Sequence, residues 1–382
     1  MDAKTTARER IEELQGDLLA LSHRIHAHPE LGFQEVQAAA WLTEALSGMG
    51  FQVTAGVYDL PTAFMARAGH GPLHVALCAE YDALPSIGHA CGHNIIAAAS
   101  VGAGAALTRV ADQLGLTVTV IGTPAEEGGA GKVLLLERGA FDGIHAVAMV
   151  HPTPWDLVEP ELISSRRFEV EYTGKGAHAA MAPEVGINAA DALTLAQVAL
   201  GLLRQHIRPT DRMHGIVTNG GEAANIIPAH AAGSFIVRSR TLEGSEALYE
   251  RVERCFQAGS LATGATLEIK KHKPYAEVRH DPDLAAHYRR NAEALGRVFS
   301  DPSVVGTLGS TDIGNVSRVV PTIQPMIGLG CLPAVNHQPE FAAACVGEAG
   351  DRAVLDGATA LAWTLIDAAG DPSLRGRLLQ RL

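Results

Sequence analysis

The stretch Ala79–Asn94, AEYDALPSIGHACGHN, constrains this chain more than any other. The apolar run Leu73–Cys78 precedes it and reads as a buried strand; the Ala-rich apolar run Ile95–Val110 follows and reads as a helix. Between them Glu80, Asp82, His89, Cys91 and His93 fall within fourteen residues. Carboxylate, thiolate and imidazole are the ligand types of a zinc-like divalent ion. The loop after a strand is also where open α/β sheets bind ligands. The stretch therefore predicts half of the site of a metal-dependent hydrolase.

Two further strand signals end in the same kind of residue. Leu116–Ile121 runs into GTPAEEGG, with Glu126 and Glu127, and Ala146–Val150 runs into His151. If these strands are parallel neighbours joined by helical crossovers, their C-terminal ends share one edge and the three sets of side chains converge. Of two adjacent glutamates, one can hold a metal while the other takes a proton from water. His26 and His28, with no acidic partner at a ligand spacing, read as packing or cleft-edge residues.

Near Arg166 the pattern changes. Strand signals at Phe168–Tyr172, Met213–Val217, Ser234–Ser239 and Thr266–Lys271 alternate with helical stretches at Asn188–Ile207 and Glu243–Ala258. That β-α-β-β-α-β order is ferredoxin-like. It predicts an inserted domain over 166–275, with 1–165 and 276–382 forming the other domain. The remainder carries a helix over Asp283–Val298, a turn-rich stretch at Gly306–Asn315, a strand near Pro325–Leu329, His337 and a closing helix over Glu348–Ala369.

Charge excludes one function class: a net −12 does not suit a nucleic-acid surface, which needs clustered Lys and Arg. No apolar run approaches the ~20 residues of a membrane span, and the polar start MDAKTTARER is not a secretory signal. Five cysteines without CxxC pairs argue against a disulfide framework and for a reduced cytoplasmic setting. Cys91 also admits a cysteine-hydrolase reading, but the acids around it would raise its pKa unless a metal is present. A non-catalytic metabolite-binding protein on the same fold is the other alternative.

The motifs YDALPSIGHACGHN, GTPAEEGGAG, MVHP, GKGAHAA, ANIIPAHA, GSTDIGNVS and NHQPEF, in this order, resemble those of the M20 family of metallopeptidases, most of all its amidohydrolase branch and the M20 domain-containing protein 2 group. The resemblance spans HAHPELGFQE to NHQPEF. It implies an α/β fold: a mixed-sheet catalytic domain of zinc-peptidase type with an inserted ferredoxin-like lid and dimerisation domain. It implies hydrolysis of an N-acyl amino acid or dipeptide-like amide with a free carboxylate. It implies two divalent ions per subunit, Zn first, with Mn, Co or Ni as alternatives. Cys91 would bridge the ions, with Glu127 and His337 on one and His93 and His151 on the other. Glu126 would be the general base, Asp82 would orient a ligand, and His178 would reach the active site of the partner subunit in a homodimer. Asn225 and Arg238 would bind the substrate carboxylate, with Ser310 and Thr311 lining that pocket. Two positions depart from the family pattern. Glu80 stands where many members have a His ligand, and Asn94 replaces an Asp expected to support the preceding histidine.

Overall fold

The protein is described here from a computed structural model covering residues 2–307 and 309–381. Its strands are β1 (Gln52–Ala55), β2 (Phe64–Ala68), β3 (Leu73–Ala79), β4 (Leu116–Gly122), β5 (Ala146–Ala148), β6 (His151–Thr153), β7 (Ser164–Thr173), β8 (Arg212–Asn219), β9 (His230–Ser239), β10 (Thr266–Lys271), β11 (Thr322–Ile323) and β12 (Met326–Gly328). The chain divides into two compact units. One comprises Met1–Glu161, Val278–Leu308 and Asp312–Leu382; the other comprises Leu162–Glu277 and Gly309–Thr311.

The first unit is built on a sheet of order β1-β2-β4-β3-β5-β11. β4, β5 and β11 extend a parallel block around β3, whereas β2 runs antiparallel to both β4 and β1, so the sheet is mixed. β3 and β4 are buried along nearly their whole length, which is why they read as unbroken apolar runs rather than alternating ones. The helix His93–Thr108 is apolar almost all round and correspondingly buried. Its small residues admit close neighbours: a Cβ on Gly102 would come within 3.0 Å of Leu18 and Ala358, which lie on the long helices Ala3–Ala27 and Glu348–Gly370.

The register of the parallel block places the site. Ala79 pairs with Gly122 and Leu77 with Ala148. Glu80, Thr123 and His151 therefore emerge at about the same level on one sheet edge. The expected strand Ala146–Val150 breaks after Ala148, and His151 itself begins β6, which pairs in parallel with β12. His151 thus sits in a second short ladder, with its N–H donated to Pro325 O at 3.0 Å.

The second unit is a four-stranded antiparallel sheet of order β10-β7-β9-β8, carrying the helices Ala189–Leu203 and Leu242–Thr263. This is the ferredoxin-like strand order. The aromatic cluster Phe168, Phe235, Tyr249 and Phe256 fills its core. Asn188 and Thr241 cap the two helices by accepting backbone N–H groups. Three residues from much later in the chain, Gly309–Thr311, cluster with this unit, and Ile163 N–H donates to Gly309 O at 2.8 Å.

Candidate metal centre

Within the first unit, eight of the residues singled out in the sequence converge: Glu80, Asp82, Cys91, His93, Glu126, Glu127, His151 and His337. His93 stands at the start of its helix, just after Gly92, whose φ of +77° suits glycine; a Cβ there would meet Pro152 at 2.7 Å. His93 Nδ1 lies 3.0 Å from Asp82 Oδ1. A carboxylate can only accept, so a ring proton sits on Nδ1, and Nε2 is the nitrogen turned to the site. Asp82 Oδ2 accepts the Glu127 N–H at 2.9 Å, so one carboxylate orients both the imidazole and the acidic loop. His151 follows the same logic: Nδ1 donates to Pro152 O at 3.0 Å, and Nε2 faces Cys91 Sγ at 3.5 Å.

The acidic loop is shaped by its glycines and by Glu35. Ala125 has φ +58°, and Glu35, wholly buried, accepts the Ala125 N–H at 2.8 Å. A Cβ on Gly131 would lie 1.7 Å from Pro124 O, so only glycine permits the chain to cross itself there. Glu126 is thereby buried while Glu127 remains partly open. His337 comes from the far end of the chain on a backbone with φ +68°, tied by its N–H to Ala90 O at 2.8 Å. Such a conformation is costly for a residue other than glycine and persists only where its surroundings demand it.

The ligand-type atoms fall into three overlapping groups: Cys91, His93 and His151; Cys91, Glu127 and His337; and His93, Glu126 and Glu127. Within each group the atoms lie within 4.8 Å of one another. Glu127 Oε1 is 3.8 Å from His93 Nε2 and 3.6 Å from His337 Nε2. Glu127 Oε1 and His93 Nε2 are buried without a hydrogen-bond partner. Unpartnered buried polar atoms are rare and ask for an explanation such as an ion. The arrangement fits divalent cations: a thiol shared by two groups, inward-facing imidazole nitrogens and carboxylates, with His337 at the exposed lip.

Electrostatics agree with that fit. Burial, then Glu127, Glu80 and Asp312, push the Glu126 carboxyl well above the usual range, against the pull of Lys132. Burial would raise Asp82, but the His93 ring, the Glu127 N–H and Lys132 bring it below the ordinary value. Burial and Glu127 drive the Cys91 thiol well up, and burial lowers His151 to about 4. A Cys–His pair in this state is not a thiolate–imidazolium nucleophile, which disfavours the cysteine-hydrolase alternative.

Asn94, His89, His26 and His28 stand apart from the three ligand groups. His93 Nδ1 is held by Asp82. Asn94 turns away, donating to Ser22 Oγ at 2.9 Å and Cys345 O at 3.1 Å. His89 is buried beside the His26 ring and joins none of the three groups. His26 bonds Ala342 O, and His28 bonds Arg24 O and packs against Trp41. Sequence reasoning missed Glu35, Asp312 and Lys132; a lone lysine in the apolar run GKVLLLE was the available signal. It also missed Asn336, which donates to Pro152 O at 3.0 Å and lies 3.8 Å from Cys91 Sγ.

The second unit holds the other candidates. Arg238 on β9 donates from Nη1 to Ser310 Oγ at 2.8 Å and from Nε to His214 Nε2 at 3.4 Å. Thr311 Oγ1 is buried without a partner. His178 is exposed, and its Nδ1 accepts the N–H groups of Ala180 and Met181 at 3.2 and 3.1 Å. Its proton therefore sits on Nε2. The Asn225 carbonyl accepts the neighbouring Ala179 N–H at 3.0 Å.

Comparison with known proteins gives the context. The profile of Peptidase family M20/M25/M40 matches residues 76–355. A mouse Xaa-Arg dipeptidase is 40% identical over 97% of this chain and 90% of its own length. A putative aminohydrolase from methicillin-resistant Staphylococcus aureus superposes with a TM-score of 0.76 at 20% identity, covering 95% of this chain and 99% of that one. A Bacillus subtilis protein described as a dinuclear metal binding peptidase from the M20 family superposes with a TM-score of 0.69 at 23% identity, covering 93% and 99%. With the profile spanning most of its length and a relative this similar along nearly all of it, the chain belongs to peptidase family M20/M25/M40.

Proposed function

We propose that this M20 hydrolase cleaves the amide bond of a dipeptide or N-acyl amino acid with a free carboxylate, using two divalent ions held by Cys91, His93, Glu127, His151 and His337. The observation that carries the reading is the convergence of those ligand atoms on one sheet edge, with Glu126 buried among them. Zn is the first candidate, because thiolate and imidazole favour the softer ions over Mg or Ca. When bound, such a pair polarises the scissile carbonyl, acidifies water and offsets the repulsion among the carboxylates around Glu126.

The chain's own residues do the rest. Asp82 keeps the His93 proton on Nδ1 and holds the Glu127 backbone in place. Glu126 takes a proton from the attacking water and returns it to the leaving amine nitrogen. Arg238, with Ser310, Thr311 and Asn225, binds the substrate carboxylate. His178 donates from Nε2 to the developing oxyanion, in the site of the partner subunit of a homodimer. Exposed apolar side chains on the second unit support such a dimer: Ile216 and Val217 on the edge strand β8, and Leu195, Val198 and Leu202 on the helix Ala189–Leu203. Among the described residues no helix is long and apolar enough to cross a membrane.

Similarity to an Xaa-Arg dipeptidase makes dipeptides with a basic C-terminal residue the first substrates to try. The test is a hydrolysis screen of dipeptides and N-acyl amino acids in the presence of Zn, Mn, Co and Ni. Turnover of a free-acid dipeptide supports the reading, and absence of turnover on both classes contradicts it. On the best substrate, Arg238→Ala is expected to raise KM, and the effect should shrink for the matching C-terminal amide, which offers no charge to pair. Equal losses on acid and amide would make Arg238 a structural strand residue.

A further inference from the structure

The five ligands, Glu126 and Asp82 leave the buried carboxylate of Glu80 without a role. Glu80 directly follows β3 and is wholly buried, with its two oxygens turned to different neighbours. Oε1 lies 2.5 Å from Lys132 Nζ, and Oε2 lies 3.4 Å from His93 Nε2. Lys132 is also wholly buried. Its Nζ reaches Asp312 Oδ1 at 2.8 Å, and its backbone N–H donates to Asp312 Oδ2 at 2.8 Å. Two carboxylates against one ammonium leave a negative charge unbalanced where solvent cannot screen it.

His93 turns Nε2 towards that charge, because Nδ1 is turned to Asp82. Glu80 Oε2 and His93 Nε2 are both buried, and neither has a hydrogen-bond partner. A bare nitrogen lone pair and a carboxylate oxygen at this separation repel each other unless a proton or a metal ion lies between them. Two donors that each sit ~2.0–2.2 Å from one divalent ion stand about this far apart.

We propose that Glu80 is a further carboxylate ligand for the ion that His93 holds, and that Lys132 and Asp312 are positioning residues that aim it. The inference rests on the metal-centre reading above. Lys132 occupies Oε1 and so directs Oε2 towards His93. Asp312 pins Lys132 through both its backbone and its side chain, so the clamp joins the edge after β3, the helix after the acidic loop and the segment beginning at Asp312.

The test is a divalent-ion titration of the stripped full-length chain, with Zn2+ and Mn2+ in competition with a chromophoric chelator and with Co2+ absorption as a second readout. The wild type is expected to bind two ions. Glu80→Gln should weaken one of them by about 10–100-fold, on the scale of changes to groups around a bound metal, and spare the other. Glu80→Asp preserves the buried charge opposite Lys132 but withdraws the oxygen from His93, and should weaken the same ion. Lys132→Met should do likewise. Combined with Glu80→Gln it should add no further loss, because it acts through Glu80. A merely structural Glu80 would lower the melting temperature of the stripped protein and leave both affinities and the Co2+ spectrum unchanged, which overturns the proposal. Losses that multiply in the double variant overturn the positioning role of Lys132. If the wild type takes up no ion, the metal-centre reading fails and this inference falls with it. Two ions bound equally by wild type and Glu80 variants defeat the Glu80 assignment alone.

Discussion

Glu126→Gln is expected to bind its metal normally and to lose turnover by ~10²-fold or more, the usual scale of a general acid–base contribution. Glu127→Ala is expected to lose turnover because it loses metal. The two residues are adjacent, yet their surroundings differ. Glu127 places Oε1 between the inward nitrogens of His93 and His337, whereas Glu126 is buried beside Glu127, Glu80 and Asp312, whose charges raise its proton affinity until bound cations offset them. Glutamine preserves the shape of Glu126 and removes only its capacity to exchange a proton. Metal analysis and steady-state rates of both purified variants check the assignment. Metal loss in Glu126→Gln with retention in Glu127→Ala would reverse the roles.

His178→Ala alone is also expected to be nearly inactive, and its activity should return in mixed dimers with Glu126→Gln. His178 acts in trans on this account, so a mixed dimer has one site with both defects and one with neither. Random reassociation of equal amounts should restore roughly a quarter of wild-type sites, the statistical result for an isologous dimer. The local structure suits the role: Nδ1 is held by two backbone N–H groups, so the exposed ring offers Nε2–H as a donor. The measurement is activity after refolding the two variants together, compared with each refolded alone. A verified mixed dimer with no recovered activity would place His178 in its own subunit's site or outside the chemistry.

Much of this was legible in the residues because burial and periodicity coincide. β3 and β4 are apolar runs with ligand-type residues directly after them, and parallel pairing then requires those residues to meet. β7 and β9 of the second unit alternate between buried and more open positions, and the order of the four strands with the two helices specifies the ferredoxin-like sheet. What was not legible depends on contacts without local periodicity. β11 is only two residues long, too short to show any pattern, yet it closes the sheet edge beside β5. Position 94 follows His93 in sequence, but the helix start turns its side chain to Ser22 while the Nδ1 of His93 faces Asp82, eleven residues earlier. Lys132 is a lone lysine in an apolar run. Its role depends on Asp312, 180 residues away, which no spacing rule reveals. Glu35 supports the acidic loop across 90 residues for the same reason.

The central claim is that hydrolysis here depends on divalent ions held by Cys91, His93, Glu127, His151 and His337, with Cys91 as a ligand rather than a nucleophile. Its most direct measurement is dipeptide hydrolysis by the stripped protein, before and after titration with a divalent ion, with bound metal counted at each point. The account requires activity to vanish on chelation and to return in step with the ions bound, reaching its maximum at two per subunit. Activity that survives complete metal removal and disappears on alkylation of Cys91 would contradict it.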